Sequence, residues 1–498
     1  MSEADIDRAD VLLAQGRFDE ALALTGRLAD AAQPGLGALA AHAGALKAAG
    51  RLADALPYDQ QAIARFAGDP IAWHNYAATL GDLGRAADAV KACEQAFTLG
   101  LDAPQTWGVY ARAQQAAGDL DRAEYAYRQS LLRAHGNPVV ANELANLIWM
   151  RRGDVAEADR ILDAAFQAGG PPQPLLIAKA TLYEASGDGA RAAALLEAAS
   201  QQLSGDTPVL LTAAQAALRQ GRVDDAARYV AMARAADPSS RGVAQHGAIV
   251  DLAQGRPVDA LAKLRAALAA HPDDQSLWGW AATAARAAGD PLYAELCDYD
   301  AVVDAYDLAT PQGWPSLDAF LGDLSKSLKS LHPYEQHPAN QSLRHGSQTL
   351  HLLTGSDDPA IRAFFAAIDA PIRQHMARIG RGADALRRRN TGDYRIQGAW
   401  SVRLRPGGFH QDHFHPEGWL SSAFYVETPD AALETPDRQG WIRFGQPPYA
   451  TAPPLPADHY VRPRPGRLVL FPSYMWHGTV PFTTDEARMT IAFDAVPK

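Results

Sequence analysis

Three kinds of side chain that bind metals or anions are concentrated in two short segments near the end of the sequence. Residues 408–416 read Gly-Phe-His-Gln-Asp-His-Phe-His-Pro, and residues 471–478 contain His477. Arg488 follows eleven residues after that histidine. Two ligands at positions i and i+2 of an extended strand point to the same side. A third ligand from a distant strand would complete one face of a transition-metal site and leave other coordination positions open.

The first segment offers two pairs of candidate ligands. His410 and Asp412 form one pair, and His413 and His415 form the other. Because the two pairs have opposite parity, a continuous strand would direct only one of them to the metal. A mixed set of Asp412 and His413 is a third alternative, although adjacent residues usually diverge. His477 would complete any of these sets.

Arg488 is the candidate for binding a carboxylate ligand. Its guanidinium could form a bidentate fork with such a group. Thr490 lies on the same face of the predicted strand and could offer a hydroxyl to the same carboxylate. Tyr425, Ser422 and Ser401 are further candidates for contacts with a co-substrate.

Short strand-like runs separated by glycine and proline surround these residues. They cover residues 398–405, 419–428, 440–445, 466–472 and 487–495. Strands at this density predict an antiparallel sandwich or barrel. Helical segments are expected before them, up to about residue 331 and over about residues 358–379.

The first 300 residues repeat with a fixed period. A glycine followed five residues later by an alanine recurs every 34 residues, with one interval of 35. Each unit is predicted to contain a first helix, a tight turn at the glycine, and a second helix with an acidic first turn. The alanine must be small because the two helices touch there. The glycines are Gly16, Gly50, Gly84, Gly118, Gly153, Gly187, Gly221, Gly255 and Gly289, and the alanines are Ala21, Ala55, Ala89, Ala123, Ala158, Ala192, Ala226, Ala260 and Ala294.

This pattern resembles the tetratricopeptide repeat family over roughly residues 3–296. Trp73, Trp107 and Trp278 share one position, eleven residues before their glycines, and are expected to pack between helices. The resemblance implies a solenoid whose first helices usually form a concave face that binds peptides or protein segments. Assembly or positioning of the protein is the alternative role.

The C-terminal segments resemble the double-stranded β-helix 2-oxoglutarate/Fe(II) oxygenases, from about residue 305 onwards. The runs HFHPEGWLSSAFYV, GRLVLFPSYMWHG and RMTIAF are similar to the bacterial branch that is often fused to tetratricopeptide repeats. The resemblance implies Fe(II) as the metal and 2-oxoglutarate as the co-substrate. Arg488 would bind the distal carboxylate of 2-oxoglutarate, with Thr490 and Tyr425 beside it.

The resemblance also bears on the choice of ligands. The superfamily usually supplies its first pair as His-x-Asp, which matches His410 and Asp412. The bacterial branch centres on His-x-His before a proline, which matches His413 and His415, and these residues directly precede a turn near the expected mouth of the barrel. We therefore predict His413, His415 and His477 as metal ligands, with His410, Asp412 and His477 as the alternative.

Composition excludes several classes of protein. The net charge of −11 and the pI near 5.7 argue against general binding to nucleic acid or to an anionic membrane. No apolar run is long enough to span a bilayer, and the acidic N-terminus lacks the features of a signal peptide, so a cytoplasmic location is expected. Cys93 and Cys297 are expected in helix interiors without a disulfide. Arg387–Arg389 is expected in a solvated loop, and His351 and His459 at the surface or in supporting positions.

The sequence thus predicts a multidomain α + β chain. An N-terminal all-α tetratricopeptide solenoid of about nine repeats would cover residues 1–296, and a C-terminal double-stranded β-helix (jelly-roll) domain with flanking helices would cover residues 297–498. The expected reaction uses dioxygen to hydroxylate a C–H bond while 2-oxoglutarate is converted to succinate and CO₂. A protein or peptide partner recruited by the repeats is the expected substrate. The alternatives are a small-molecule substrate, a scaffold with an inactive domain, and a 2-oxoglutarate-independent iron dioxygenase.

Overall fold

The structure is a computed structural model that describes residues 3–350, 352–429 and 436–498. His351 therefore lies outside the described residues. The chain divides into two compact units, Met1–Leu144 with Ala164–Gly170 and Ala145–Asp163 with Pro171–Lys498. The predicted boundary between residues 296 and 297 falls inside the second unit.

Residues 3–296 form eighteen α-helices joined by short turns. Consecutive helices pack against each other from the first to the eighth and from the eleventh to the eighteenth. The helices are α1 (Glu3–Ala14), α2 (Phe18–Ala29), α3 (Leu36–Ala48), α4 (Leu52–Arg65), α5 (Pro70–Asp82), α6 (Ala86–Thr98), α7 (Pro104–Ala116), α8 (Leu120–Arg133), α9 (Pro138–Arg152), α10 (Val155–Gln167), α11 (Pro172–Ala185), α12 (Gly189–Gln202), α13 (Thr207–Arg219), α14 (Val223–Ala236), α15 (Arg241–Ala253), α16 (Pro257–Ala270), α17 (Gln275–Ala288) and α18 (Leu292–Leu296).

The repeated glycines and alanines have the predicted roles, with one exception. All nine glycines have a positive φ, between 65° and 86°, at the turn between the two helices of a repeat. Other residues rarely adopt this left-handed conformation. Eight of the nine alanines are fully buried where the helices touch. Ala294 is exposed, and the prediction is wrong there, because α18 has only five residues.

The three predicted tryptophans pack at the starts of their helices. Trp73, Trp107 and Trp278 are each partly buried. Each indole N–H donates to an oxygen five or six residues earlier, at 2.7–2.9 Å. The tryptophans therefore hold the preceding loop against the helix, which confirms their packing role.

Two antiparallel sheets form the β-domain in the described part of residues 297–498. The six-stranded sheet has the order β1-β7-β4-β9-β3-β2, and the three-stranded sheet has the order β6-β5-β8. The strands are β1 (Asp304–Asp307), β2 (Leu343–Gln348), β3 (Tyr394–His410), β4 (Leu420–Glu427), β5 (Ile442–Phe444), β6 (His459–Val461), β7 (Arg467–Pro472), β8 (His477–Thr479) and β9 (Arg488–Pro497). Three helices flank them, α19 (Tyr299–Val302), α20 (Leu317–Lys329) and α21 (Pro359–Ile379).

The five predicted strands correspond to β3, β4, β5, β7 and β9, and the predicted helix over residues 358–379 corresponds to α21. The helical stretch expected up to residue 331 is interrupted by β1. This segment becomes a strand because it pairs with β7 at the edge of the larger sheet, with Asp304 opposite Leu470. No local sequence pattern indicates that pairing. The observed architecture confirms the predicted fold class, helical repeats followed by a β-domain with flanking helices.

Strand β9 separates the core of the β-domain from its cavity. Met489, Ile491, Phe493 and Ala495 are fully buried in a core that also contains side chains of α20 and α21. The alternate residues of the same strand, from Arg488 to Asp494, line a cavity instead. This alternation is the ordinary period of two in a strand. It places polar groups of β9 on one side and apolar groups on the other.

The β-domain and α17 share a packed boundary inside the second unit. The indole N–H of Trp476 donates to Gly279 O and Thr283 Oγ1, at 3.1 and 2.9 Å. The ring of Trp476 packs edge-on against Trp280 at 4.8 Å. A Cβ added at Gly279 would lie 2.8 Å from the carbonyl oxygen of Tyr474, so glycine permits this close approach. The repeat helices next to the β-domain are thus held against it by specific bonds.

Several smaller predictions concern single residues. Cys93 lies inside α6, but Cys297 follows the end of α18 and is not in a helix interior; both thiols are free. Arg387 and Arg388 pair with carboxylates of this chain, at 3.0 and 2.7 Å, instead of extending into solvent. His459 stacks on the ring of Tyr299 at 4.6 Å, in a supporting position. In the described part of the chain, no helix is both long and apolar enough to cross a membrane.

Candidate metal centre and co-substrate pocket

Backbone hydrogen bonds fix three histidines next to one another. His413 and His415 lie in the connection between β3 and β4, and His477 begins β8. His413 and His477 exchange backbone N–H and carbonyl bonds, both at 2.9 Å. The N–H of His415 donates to Ser473 O, also at 2.9 Å. The bonds therefore join two segments whose paired residues lie 58 and 64 positions apart in the sequence as a short antiparallel ladder.

The imidazoles converge on one point. One ring nitrogen from each of His413, His415 and His477 lies within 4.8 Å of the others, and within the described residues this is the one group of three such side chains arranged so. His413 Nδ1 donates to Gln411 O at 2.8 Å, and His477 Nδ1 donates to Met475 O at 3.0 Å. Because a carbonyl oxygen can only accept, both rings carry their proton on Nδ1 and present the lone pair of Nε2.

A buried carboxylate orients the third ring. His415 Nδ1 lies 2.5 Å from Asp494 Oδ1, and its Nε2 lies 3.3 Å from His413 Nε2. The hydroxyl of Ser421 donates to the same oxygen of Asp494 at 2.7 Å and is 2.8 Å from Ser473 Oγ. A carboxylate behind a histidine fixes its tautomer and raises its basicity as a metal ligand. All three histidines thus present Nε2 towards the same point.

Asp412 is directed away from this point. Arg443 donates to both of its carboxylate oxygens, at 2.9 and 2.6 Å, in a bidentate ion pair. Burial raises the pKa of Asp412, while the bonds from Arg443 oppose that shift. A Cβ added at Gly478 would lie 2.5 Å from Asp412 Oδ1, so the absence of a side chain makes room for the pair. As the opposite parity of the two candidate pairs predicts, the side chains of Asp412 and His413 therefore have different partners.

His410 remains close to the cluster without joining it. Its Nδ1 lies 3.1 Å from Ser342 Oγ, and its ring stacks on that of His413 at 5.7 Å. Burial lowers the pKa of His413 to about 3 and holds the pKa values of His410 and His477 well below their ordinary range. The neighbouring imidazoles act in the same direction. Neutral imidazole is the form that binds metal ions.

The three histidines face a cavity of about 920 Å³ inside the second unit. This volume is at the upper end of the range of small-molecule pockets, about 300–1,000 Å³. Two ends can be defined by their residues. The histidine end contains His413, His415, His477, Arg488, Thr490 and Asp494. The repeat end contains Thr181, Glu184, Thr212, Gln215, Arg219, Arg344 and Tyr449.

Arg488 is a buried cation without an anion. Its residue is 3% exposed, and its guanidinium lies over the ring of Tyr425, 4.9 Å from the centroid. Neither Arg488 Nε nor the hydroxyl of Tyr425 has a hydrogen-bond partner, and no described carboxylate is within ion-pair distance of Arg488. Burial lowers the pKa of the guanidinium. Since buried charges are normally paired, this arrangement is suited to a carboxylate ligand.

The other predicted co-substrate residues have different surroundings. Thr490 lines the histidine end and lies opposite Tyr425 in the β4–β9 register. Tyr425 itself packs behind Arg488 and is not part of the cavity lining. Ser422 lines the cavity, but its hydroxyl is bonded to the backbone of Phe493, at 2.9 and 3.0 Å.

The expectation for Ser401 is wrong. Its hydroxyl lies 3.1 Å from His332 Nε2, and the residue is fully buried outside the cavity lining. The strand alternation of β3 sends Ser401 to the side away from the histidines. His332 also bonds Ser347, so this cluster closes on itself.

Comparisons with known proteins agree with this architecture. Residues 398–494 match the family described as "Putative 2OG-Fe(II) oxygenase", and residues 183–245 and 247–309 match two tetratricopeptide repeat families. The matches thus place tetratricopeptide repeats before a segment that is similar to putative 2OG-Fe(II) oxygenases. No curated protein matches the chain.

Similar solved structures are proteins with low identity to this chain. A structure from the functional characterization of Pseudomonas aeruginosa pilF is 19% identical, covers 42% of this chain and 94% of its own, and has a TM-score of 0.33. A tetratricopeptide repeat protein from Parabacteroides merdae is 16% identical over 50% of this chain and 98% of its own, with a TM-score of 0.34. The APC/C hetero-tetramer Cut9-Hcn1 is 16% identical over 56% of this chain and 54% of its own, with a TM-score of 0.33.

The residues of the β-domain fit the groups that the name of the matched family implies. Imidazole nitrogens suit Fe(II), and three of them on one side leave room for further ligands. The unpaired guanidinium of Arg488 fits a carboxylate of 2-oxoglutarate. The set differs from the common arrangement of two histidines and one carboxylate. Here the carboxylate of Asp494 contacts the Nδ1 of His415 instead.

Sequence reasoning missed Asp494, Ser421 and Arg443. A signal for Asp494 was present, because it lies six residues after Arg488 and so shares its face of β9. No local pattern marks Ser421 or Arg443, since their roles depend on partners 73 and 31 residues away. The repeat residues that line the cavity were also missed, because repeat periodicity does not show which face meets the oxygenase domain.

Proposed function

We propose that this protein is an Fe(II)- and 2-oxoglutarate-dependent oxygenase that hydroxylates a protein or peptide segment. The single observation that supports it best is the shared cavity of three Nε2-presenting histidines and a buried, unpaired arginine. A structural role for the histidines alone would not require Arg488 to be buried without an anion. The 2-oxoglutarate-independent alternative leaves that cation unexplained.

His413, His415 and His477 would hold the metal through Nε2. Bound Fe(II) supplies the redox chemistry that couples conversion of 2-oxoglutarate and dioxygen to oxidation of a C–H bond. Arg488 would bind the distal carboxylate of 2-oxoglutarate, with the Thr490 hydroxyl on the same face of β9. Tyr425 would hold the guanidinium in place through its ring.

Asp494 would keep the proton of His415 on Nδ1 and so preserve the lone pair on Nε2. Ser421 donates to the same carboxylate oxygen and restricts its rotation. The three imidazoles add no charge to the site, and the carboxylate of Asp494 places one negative charge behind it. His415, His477 and Arg488 are buried, and low exposure to water strengthens electrostatic interactions of these groups.

A protein or peptide substrate is supported by the extent of the cavity. It continues from the histidines to α11 and α13, which are first helices of their repeats. First helices form the binding face in this class of repeat. A substrate bound at the repeat end could therefore reach the histidine end without leaving the cavity.

The test is turnover of 2-oxoglutarate by the full chain. Protein loaded with Fe(II) under anaerobic conditions is exposed to air, and succinate is measured with and without candidate peptides. We expect Fe(II)-dependent succinate release that is lost in His477→Ala and strongly reduced in Arg488→Leu. Arg395→Leu is the matched control because Arg395 is exposed and outside the cavity. Equal succinate release from all four proteins would refute the proposal.

A further inference from the structure

The charged groups at the repeat end of the cavity do not balance. Glu184 on α11 is the carboxylate there, whereas Arg219 on α13 and Arg344 on β2 are both cations. Elsewhere in the lining, Asp412 is paired with Arg443 and Asp494 with His415, while Arg488 at the histidine end is unpaired. Glu417 is exposed at the rim. The repeat end thus carries more positive than negative charge, in a protein whose net charge is −11.

Arg344 has no anionic partner. Its Nη1 donates to two backbone carbonyls, Gln341 O at 2.7 Å and Leu343 O at 2.8 Å, and no described carboxylate lies within ion-pair distance. Burial lowers the pKa of Arg344, the charge of Arg219 lowers it further, and the carboxylate of Glu184 opposes the shift. Both guanidinium groups line the same cavity, and the charge of Arg219 acts on that of Arg344. An anion between them would relieve that repulsion.

Arg219 is only weakly compensated. Its Nη1 lies 3.7 Å from Glu184 Oε1, which is longer than a hydrogen bond. Its guanidinium lies 5.7 Å from the centroid of the Tyr449 ring, which is itself stacked on Trp280. The aromatic pair fixes one side of the arginine, while its remaining N–H groups are available to a ligand. The guanidinium of Arg219 is therefore in contact with an aromatic ring but keeps N–H groups that can donate to a ligand.

The walls around these cations suit an extended chain. Thr181 and Gln215 occupy equivalent positions of successive repeats, 34 residues apart, and both line the cavity. The hydroxyl of Thr181 donates to the carbonyl of its own helix, and Gln215 Nε2 bonds to His246 Nε2. The side-chain oxygens of both residues can therefore accept hydrogen bonds, which suits peptide N–H groups.

We propose that the substrate is a peptide segment with an acidic side chain, bound at the repeat end by Arg219 and Arg344 while the residue to be hydroxylated lies at the histidine end. This assignment of the substrate rests on the proposed function for the hydroxylation reaction. The binding of an acidic peptide at the repeat end does not depend on that function. Glu184 competes with the substrate carboxylate for Arg219. Removing its charge is therefore expected to strengthen binding.

The experiment measures binding in the absence of metal and 2-oxoglutarate, so that a failure of the catalytic proposal leaves it unaffected. Full-length protein in EDTA is titrated into two fluorescein-labelled peptide pools of about ten residues with blocked ends. One pool contains a fixed Glu among randomised uncharged residues, and the other contains Gln in its place. Fluorescence anisotropy reports the affinity. We expect the Glu pool to bind about tenfold or more tightly than the Gln pool, and less tightly as salt is added.

The variants locate the anion. Arg219→Gln and Arg344→Gln should each weaken binding of the Glu pool by about tenfold or more, whereas Glu184→Gln should strengthen it. A protein that is merely misfolded would not gain affinity, so the opposite sign distinguishes recognition from damage. Arg395→Gln removes the same charge outside the cavity and should change nothing. Equal binding of the two pools, or the same affinity in Arg219→Gln and Arg344→Gln as in the unmodified protein, would overturn the proposal.

A small molecule with a carboxylate is the alternative ligand for the same two arginines. N-acetylglutamate N-methylamide carries one side-chain carboxylate without a peptide chain, and it is added as a competitor. We expect it to displace the Glu pool only at a large molar excess. Displacement at equal concentrations would overturn the peptide assignment. Loss of binding in Arg488→Leu alone would overturn the placement, because the anion would then occupy the histidine end.

Discussion

The two ends of the cavity differ in how completely their polar groups are bonded. At the histidine end, each imidazole Nδ1 has a fixed acceptor, and Asp494 is held by both His415 and Ser421. At the repeat end, Arg344 bonds only to backbone carbonyls, and Arg219 lies 3.7 Å from its one carboxylate neighbour. Arg488 is the exception at the histidine end, since it is buried and unpaired.

This difference indicates what each end is built to bind. A group that is the same in every reaction cycle benefits from a rigid site, because positions fixed beforehand need no reorganisation. A ligand with a variable sequence benefits from groups that can adjust. The histidine end therefore matches a constant metal and co-substrate, and the repeat end matches a substrate chain. Four substitutions test this contrast, from the largest expected effect to the smallest.

The largest effect is expected at the centre of the rigid end. His415→Ala should abolish stoichiometric Fe(II) binding because it removes one of three converging nitrogens. Asp412→Asn should keep the metal because Asp412 is bonded to Arg443 and faces away. Iron per chain is measured by elemental analysis after anaerobic loading and desalting. An empty site in Asp412→Asn together with retained iron in His415→Ala would show that the other pair supplies the ligands.

The second effect concerns the unpaired cation. Arg488→Leu should retain Fe(II) but weaken 2-oxoglutarate by about 2–5 kcal/mol, at least tenfold in affinity, because a buried carboxylate loses its partner. Calorimetric titration of the metal-loaded protein measures this difference. Arg395→Leu, an exposed arginine outside the cavity, should bind as the unmodified protein does. An unchanged affinity in Arg488→Leu would mean that the co-substrate is bound elsewhere.

A smaller effect is expected at Asp494, which contacts a candidate metal ligand but is not itself one. Asp494→Asn should weaken Fe(II) by about 10–100-fold, because His415 loses the charge that fixes its tautomer. Ser473→Ala should cost less, since the backbone bond from His415 to Ser473 O does not involve the hydroxyl. Metal affinity is measured by competition with a chelator of known affinity. If both variants bound iron equally well, the carboxylate would have no role in orienting the ring.

The smallest effect concerns the boundary between the β-domain and α17. Trp476→Phe removes the indole N–H that bonds Gly279 O and Thr283 Oγ1. The free energy of unfolding should fall by about 0.5–1.5 kcal/mol, measured from the urea midpoint, while iron binding is unchanged. Trp314→Phe is a matched control, because the indole of Trp314 bonds a carboxylate on α20, away from this boundary. A loss of iron in Trp476→Phe would show that the boundary also sets the geometry of the histidines.

Local patterns in the sequence were sufficient for the repeat turns and for five of the described strands. The glycines at 34-residue intervals predicted nine turns, and all nine have the left-handed backbone that requires glycine. Alternation placed Arg488 and Thr490 on one face of a strand, and both line the cavity. Each of these features depends on neighbours within a few residues. Ala294 failed the same rule only because its helix is too short to make the contact.

Local sequence patterns could not decide which of the candidate residues are the metal ligands. The parity of the strand showed that the two pairs, His410 with Asp412 and His413 with His415, could not both face the metal. The family resemblance and the position before the turn favoured His413 and His415. The fold brings His413 and His415 to His477 and directs Asp412 to Arg443. Their role as metal ligands remains a prediction, which the His415 and Asp412 variants test.

By itself the sequence determined the repeats, five of the nine described strands, and the parity that divides each strand into two faces. Only the tertiary structure decided that Asp494 stands behind His415, 79 residues away, and that Glu184 and Arg219 line the same cavity as the histidines. The physical reason is the range of the forces involved. Helix and strand periods arise from bonds between near neighbours in the chain, whereas a site arises from strand register and helix packing, which fix distances between residues that the chain itself leaves free.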